Sequence, residues 1–506
     1  MGDKVRFFGP WQRLTAQLWL LALVALLFAD IEVISVDPWA ELSRLALGVI
    51  SPDFFATEFL LSALWQTVNF ALLGVAFGIV LGGPLALVYQ HPFVAASCAM
   101  VRGVHELFWA LLFLQIFGLS PLTGILAIGL PYGATFARVF HDILAQSPST
   151  TERGLPFNTD PLSRYVYGRL GHVYPLMLAY IRYRFECALR SSAVLGFIGM
   201  PTLGFYLETA FRQGQYSEGA ALLMLFILLI GTISLWAKKN LIPVYLLAAL
   251  WTIPDIGIID GGLLWRFVFY DLLPPGIQGV IYTQMELSDG LNQFYQWLAS
   301  ITINQALPGV FATVILALSA LGLSHLVALI AHLVASQHSG SKYRAVAGQL
   351  GLLVLRSIPE YILAFVLMLL IGPSMLPAII ALALHNGALI AFLLVKQEQG
   401  ITPSATYKKR ADFFAYEILT RVYPNLMGLL FYRFEVMLRE TAIFGILGVA
   451  TIGFYIDSAF AEIRYSNALY LLAVTALLNV VIDFSARKLV ARQVEDSIAH
   501  GRSCIT

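Results

Sequence analysis

Tyr183 to Leu223 reads YRFECALRSSAVLGFIGMPTLGFYLETAFRQGQYSEGAALL, and Tyr432 to Leu472 reads YRFEVMLRETAIFGILGVATIGFYIDSAFAEIRYSNALYLL. The two stretches align without a gap, and about half of their positions are identical. Self-similarity at half the chain length is the mark of two copies of one unit joined in tandem, here 1–239 and 240–506. The shared content is unusual for an anchoring helix. It holds a carboxylate and a guanidinium four residues apart, then three glycines, then Gly-Phe-Tyr and an acidic residue. Such a combination points to a pathway through the membrane.

Of the 506 residues, 59% are hydrophobic and 12% charged, and the mean hydropathy is +0.78. Soluble domains carry roughly 25% charge, so the composition is that of a polytopic membrane protein. A net charge of +1 gives no electrostatic case for a nucleic-acid partner. Cys98, Cys187 and Cys504 have no metal or redox spacing. Apolar segments fall near 14–33, 62–90, 103–119, 120–140, 172–205 and 218–237. A second set falls near 241–258, 301–335, 345–372, 374–396, 425–455 and 468–487. They are continuous rather than alternating, so the expectation is all-α, with about 12 spanning helices in two parallel six-helix repeats. The basic N-terminus is read as leading into an uncleaved first span.

Earlier parts of the halves also correspond. Thr67-Val68-Asn69, Ala71 and Gly74 are matched with Thr302-Ile303-Asn304, Ala306 and Gly309. Arg102 and Glu106 are matched with Arg356 and Glu360. Lys4, Arg6, Arg13, Lys238, Lys239, Lys342, Arg344, Lys408 to Arg410, Arg487, Lys488 and Arg492 gather in alternate connections, while 34–61 and 259–300 are acidic. The positive-inside rule then puts both termini and the loops 141–171 and 397–424 in the cytoplasm. The aromatic-rich stretch 259–300 is expected to include an interfacial helix.

Three features carry the functional expectation. Glu186 with Arg190, and Glu435 with Arg439, are i, i+4 pairs inside apolar segments; they fit a clamp beside the path or a plain register-fixing ion pair. Gly196, Gly199, Pro201, Thr202 and Gly204, matched by Gly445, Gly448, Thr451 and Gly453, fit a broken helix acting as a translocation gate, or close helix packing. The loops 141–171 and 397–424, with Asp160, Leu162, Tyr165, Val166 and Tyr167 in one and Lys408, Arg410, Phe413, Phe414 and Tyr416 in the other, suit docking of a symmetric cytoplasmic partner. His385-Asn386 stands where the first half has Pro131-Tyr132, with no evident partner. No phosphate loop, zinc-protease motif or nucleophile elbow occurs, so no catalytic residue, metal or cofactor is assigned.

The run Y-R-F-E-x-x-x-R-x-[ST]-A-[VI]-x-G-x-x-G followed by Gly-Phe resembles the phosphonate-type permeases of binding-protein-dependent ABC importers, as does Arg356-Ser357-Ile358-Pro359-Glu360. The resemblance implies a type I importer permease fold and a pathway for a small solute, a phosphonate or related oxyanion. It also implies two cytoplasmic ATP-binding subunits and an extracytoplasmic solute-binding protein as partners. The sequence departs from that pattern in two places. Glu152-Arg153-Gly154 and Ser404-Ala405-Thr406 are degenerate coupling motifs, and the inner glycines of the family's turn are replaced at Met200-Pro201 and Val449-Ala450. The alternative is an ion-gradient-driven secondary transporter with two six-helix repeats; a membrane-embedded enzyme lacks a repeated metal-holding cluster.

Overall fold

A computed structural model describes residues 9–34, 37–146, 156, 158–160, 163–253, 257, 260–401 and 410–503. The expectations placed on Lys4, Arg6, Glu152-Arg153-Gly154, Leu162, Ser404-Ala405-Thr406, Lys408 and Cys504 lie outside the described residues. Among those described the regular structure is entirely helical. The first helices are α1 (Pro10–Phe28), α2 (Pro38–Ile50), α3 (Leu60–Val88), α4 (Pro92–Gly103), α5 (Glu106–Phe117) and α6 (Pro121–Gln146). Then come α7 (Gly171–Val194), α8 (Leu203–Arg212), α9 (Tyr216–Gly231) and α10 (Ile242–Trp251). Next are α11 (Pro275–Tyr282), α12 (Leu287–Ile301), α13 (Leu307–Ala335), α14 (Lys342–Ser357) and α15 (Glu360–Ile371). The chain ends with α16 (Met375–Glu398), α17 (Leu419–Thr441), α18 (Ile452–Ala461) and α19 (Tyr465–Ser503). Six described helices are long and apolar enough to cross a membrane, and nine if each sharply bent pair counts as one span. This is a multi-pass membrane protein.

Two compact units form. One comprises Leu47–Met285 and Ile463–Leu477. Its centre is α3 against α6, and small residues explain the closeness. Gly74, Gly78 and Gly82 recur every fourth residue on α3, and Gly129 and Gly133 do so on α6. A Cβ on Gly82 would lie 2.5 Å from the Gly133 carbonyl oxygen, and one on Gly78 would lie 3.2 Å from the Gly133 amide. Without a hydrophobic drive between helices in lipid, this backbone contact is what associates them. The start of α19 belongs to this unit: Tyr465 donates to Gln115 Oε1 at 2.9 Å, and a Cβ on Gly103 would meet the Ala476 carbonyl at 3.1 Å.

The other unit comprises Met1–Ala46, Glu286–Glu462 and Leu478–Thr506. Here α13 lies against α16 in the same way. Gly387 backs onto Val327 and the Ser324 carbonyl, with Ala320 and Ala328 one turn to either side. The first helix is part of this unit. Its Leu14, Leu18, Ala22 and Ala25 are buried, and Leu14 and Leu18 join a core with Leu321, Leu394, Leu426 and Leu430. The opposite face of α1, with Leu20, Leu23 and Leu27, is exposed, as expected of a surface that meets lipid. The contact units do not coincide with the expected division into 1–239 and 240–506: α1 falls with 286–462, while 240–285 and the start of α19 fall with 47–239.

In each unit one span turns through about a right angle. The pairs α4–α5 and α14–α15 turn by 91° and 92°. The first turn is held by His105, whose ring accepts from the Leu107 amide at 3.2 Å; the second is held by Pro359, which bars its predecessor from the helix.

Candidate functional site

The duplicated motif folds alike in both units. In the first, α7 tightens into a single 3-10 turn at Leu195–Ile198, reverses at Gly199 with φ +92°, and restarts at Leu203. The two helical pieces are bent by 52°. In the second, α17 gives way to a 3-10 turn at Ile443–Gly445, Gly448 takes φ +95°, and α18 begins at Ile452. Left-handed backbone at these two positions requires glycine. The flanking glycines answer a different need. A Cβ on Gly196 would overlap the Phe205 amide, and one on Gly204 would overlap the Ala193 carbonyl. Gly445 and Gly453 stand in the same relation to the Phe454 amide and the Ala442 carbonyl.

Each restart hangs on a threonine from a long helix. Thr67 Oγ1 accepts from the Leu203 amide at 2.9 Å, and Thr313 Oγ1 from the Ile452 amide at 3.1 Å. This corrects the matching of Thr67 with Thr302. The α3 and α13 frames begin at Leu60 and Leu307, so the counterpart of Thr67 lies three helical turns beyond Thr302, which sits in a π turn before α13. The loop insertion fell upstream of α13, where the short Thr-x-Asn likeness was accidental. Pro201 is not what breaks the helix. Ala450 holds its place in the second copy, and the break is the same, because glycine φ and the extended Thr202 and Thr451 make it. Thr202 and Thr451 are themselves fully buried, and among the described residues neither hydroxyl has a hydrogen-bond partner.

Arg190 donates to Glu186 Oε1 at 3.0 Å, one helical turn along α7. Glu435 and Arg439 keep that spacing on α17, both half-buried. A second basic residue of the motif is more deeply engaged, and sequence reasoning passed over it. Arg433 donates to Asn386 Oδ1 at 2.5 Å and to Glu440 Oε1 at 3.3 Å, with all three side chains buried. Its repeat counterpart Arg184 meets Tyr132 where the second copy has Asn386, and position 191 holds Ser where the second copy has Glu440. The Arg184 guanidinium therefore lies over the Tyr132 ring, 4.2 Å from its centre, with its Nε buried and without a hydrogen bond. Among the described residues it has no carboxylate partner. One repeat thus holds a neutralised cation and the other holds one whose charge is met only by a ring face. The signal was present in Y-R-F-E, but the exchange of Glu440 for Ser191 acquires meaning only through contact.

The bent spans add a second exchange. Glu106 accepts from Ser191 Oγ at 3.0 Å and lies 3.2 Å from His105; Ser191 also bonds Tyr132 at 3.2 Å. In the other unit Glu360 lies 3.7 Å from His385, whose Nδ1 is 2.9 Å from the Ile358 carbonyl. His385 therefore has the partner that its sequence environment did not reveal. Histidine and proline have traded places between the repeats, His105 for Pro359 and Pro131 for His385, yet a histidine faces the glutamate each time.

Of the two polar loops, the second is described at 397–401 and from Arg410 onward. Arg410 donates to the Gly340 carbonyl at 2.7 Å; Phe413 and Phe414 are buried beside His338 and His332, and Tyr416 is exposed. His332 is itself 2.8 Å from Glu398, both fully enclosed. In the first loop Asp160 caps the Ser163 amide at 2.9 Å, and Tyr167 is exposed.

Sequence comparison gives these observations a context. The chain is 26% identical over 445 residues to the phosphate-import permease protein PhnE of Mycolicibacterium smegmatis, covering 80% of each chain. It is 30% identical over 95 residues to the putative cryptic phosphonate transport system permease protein PhnE2 of Escherichia coli, covering 19% of this chain and 78% of that one. It is 26% identical over 200 residues to the phosphite transport system permease protein PtxC of Stutzerimonas stutzeri, covering 38% of this chain and 73% of that one. No family model matches, and no solved structure does. A single-length permease accordingly fits within part of this chain, while a relative of similar reach spans four fifths of it. The chain belongs to the family of phosphonate- and phosphite-type transport-system permeases. It is a transport protein rather than an enzyme, and the ion-gradient alternative has no support among these relatives.

Proposed function

We propose that this permease forms the translocation pathway of an ABC importer for a small phosphorus oxyanion: phosphate, phosphite or a phosphonate. In this reading 1–239 and 240–506 are two fused permease repeats of the type I kind, with about 12 spans between them. The observation that carries it is the matched pair of helix breaks, Gly196–Gly204 and Gly445–Gly453, each hung on a threonine of the neighbouring long helix. Irregular backbone at membrane depth is tolerated where it lines a path or is packed in protein, and two copies at equivalent positions suit a gate with two leaves. Gly196, Gly199, Pro201, Thr202, Gly204, Gly445, Gly448, Thr451 and Gly453 form those leaves. The unsatisfied Thr202 and Thr451 hydroxyls are held in reserve for the open state. Arg184, the cation without a carboxylate, meets the passing anion, while Glu186–Arg190 and Glu435–Arg439 fix the helices that carry the gate.

Both termini and the loops 141–171 and 397–424 face the cytoplasm in this scheme, in a bacterial inner membrane, and two ATP-binding subunits dock on those loops. A solute-binding protein delivers the oxyanion from outside. The test is uptake of labelled phosphate, phosphite and methylphosphonate into proteoliposomes holding the permease, its ATPase and its binding protein. ATP-dependent uptake of one of the three is expected. Uptake that runs without ATP on an imposed proton or sodium gradient would refute the scheme, and an ATPase that never copurifies with the chain would count equally against it.

A further inference from the structure

Beside the first copy of the motif lies a cavity of about 730 Å³, bounded by α3, α7, α10 and the turn after α9. This is within the usual range for a small-molecule site, about 300–1,000 Å³. Leu72, Val75, Ile79 and Phe185 make apolar walls, and Arg182, Lys238 and Lys239 stand on its lining with no acidic residue among them. All three cations are exposed, and none makes a salt bridge or side-chain hydrogen bond among the described residues. Trp236, two residues before Lys238, packs edge-on to Phe185 at 5.9 Å and to Tyr245 at 6.2 Å. Tryptophan and tyrosine at such a position mark the level where hydrocarbon meets water.

We propose that this cavity is a binding site for an anionic phospholipid, with its phosphate met by Arg182, Lys238 and Lys239 and an acyl chain lying along the apolar walls. Apolar depth beside a carboxylate-free basic rim is the complement of such a molecule. A free phosphate would use the rim and leave the walls without purpose. In the second motif the place of Arg182 is held by Phe431, so the three cations are not repeated there as a set. The inference rests on the chain spanning a membrane and not on which solute it carries. Its readout is lipid retention, so it stands or falls separately from the transport scheme.

The full chain is reconstituted in nanodiscs of phosphatidylcholine with or without phosphatidylglycerol, and retained lipid is counted by native mass spectrometry after mild extraction. The parent is expected to retain phosphatidylglycerol and to melt higher in its presence. R182Q/K238Q/K239Q is expected to retain it about a hundredfold more weakly, at about fivefold per cation removed. Ala179→Trp, on the exposed part of the lining, fills the cavity with every cation left in place and is expected to lose the lipid too. Should the charge-removal variant fail to fold, Ala179→Trp alone decides. Equal phosphatidylglycerol retention by parent and Ala179→Trp overturns the proposal. So does a melting shift reproduced by inorganic phosphate in phosphatidylcholine alone, which would make the ligand a free anion.

Discussion

A methyl group on Gly204 or Gly453 would occupy the space of a backbone carbonyl, and the carbonyl cannot move without unwinding the end of the preceding helix. Gly204→Ala and Gly453→Ala are therefore expected to cost about 1–3 kcal/mol each as overpacking, seen as a lower melting temperature of the purified permease. Pro201→Ala should leave both melting and transport at the parent level, because Ala450 already occupies the matching place in an equally broken helix. Loss of transport in that variant would give Pro201 a role of its own. Arg433 and Arg184 separate in the same manner. Arg433→Ala abandons Glu440 and Asn386 in a buried site and is expected to cost about 3–5 kcal/mol. R433A/E440A should recover part of that in a double-mutant cycle. Arg184→Ala leaves no carboxylate behind, so it is expected to reduce oxyanion uptake with little change in melting. A large drop in melting with normal uptake would reverse the assignment.

Among the helices, the small-residue seams of α3 with α6 and α13 with α16 hold the long helices at backbone distance. Those seams in turn position Thr67 and Thr313 for the restarting helices. Thr67→Val and Thr313→Val keep the shape and remove the acceptor, leaving a buried amide unpaired at about 1–3 kcal/mol. Hydrogen exchange should quicken at Leu203 or Ile452 in the matching variant and remain at the parent rate in the other copy. Gly82→Val should separate α3 from α6 and act on the Leu203 amide at a distance; unaltered exchange there would mean the threonine contact does not depend on the seam. The glycine spacing at 74, 78 and 82 was open to inspection in the sequence. The threonine pairing was not, because it joins residues 136 and 139 positions apart.

In the whole chain, the contact units do not follow the proposed division into 1–239 and 240–506. The fragment 240–506 alone lacks α1, whose Ala22 lies against Gly322 and whose Trp19 donates to His325 Nδ1 at 3.3 Å. Expressed alone it is expected to be degraded or aggregated, and co-expression with 1–239 should rescue it. Rescue by a fragment of α1 alone, read by protease resistance of α13, would locate the need in that helix. The duplication, the all-helical class and the glycine-bearing motif were each legible in the sequence, because repetition, hydropathy and φ-restricted residues are local properties of the chain. The neutralised and unneutralised arginines, the traded histidines, the true partner of Thr67 and the grouping of α1 with 286–462 and of the start of α19 with 47–285 were decided only in the tertiary structure. The physical reason is that each depends on a charge, a hydrogen-bond acceptor or an apolar face finding its complement across a packed interface, and nothing local in the sequence encodes which distant residue supplies it.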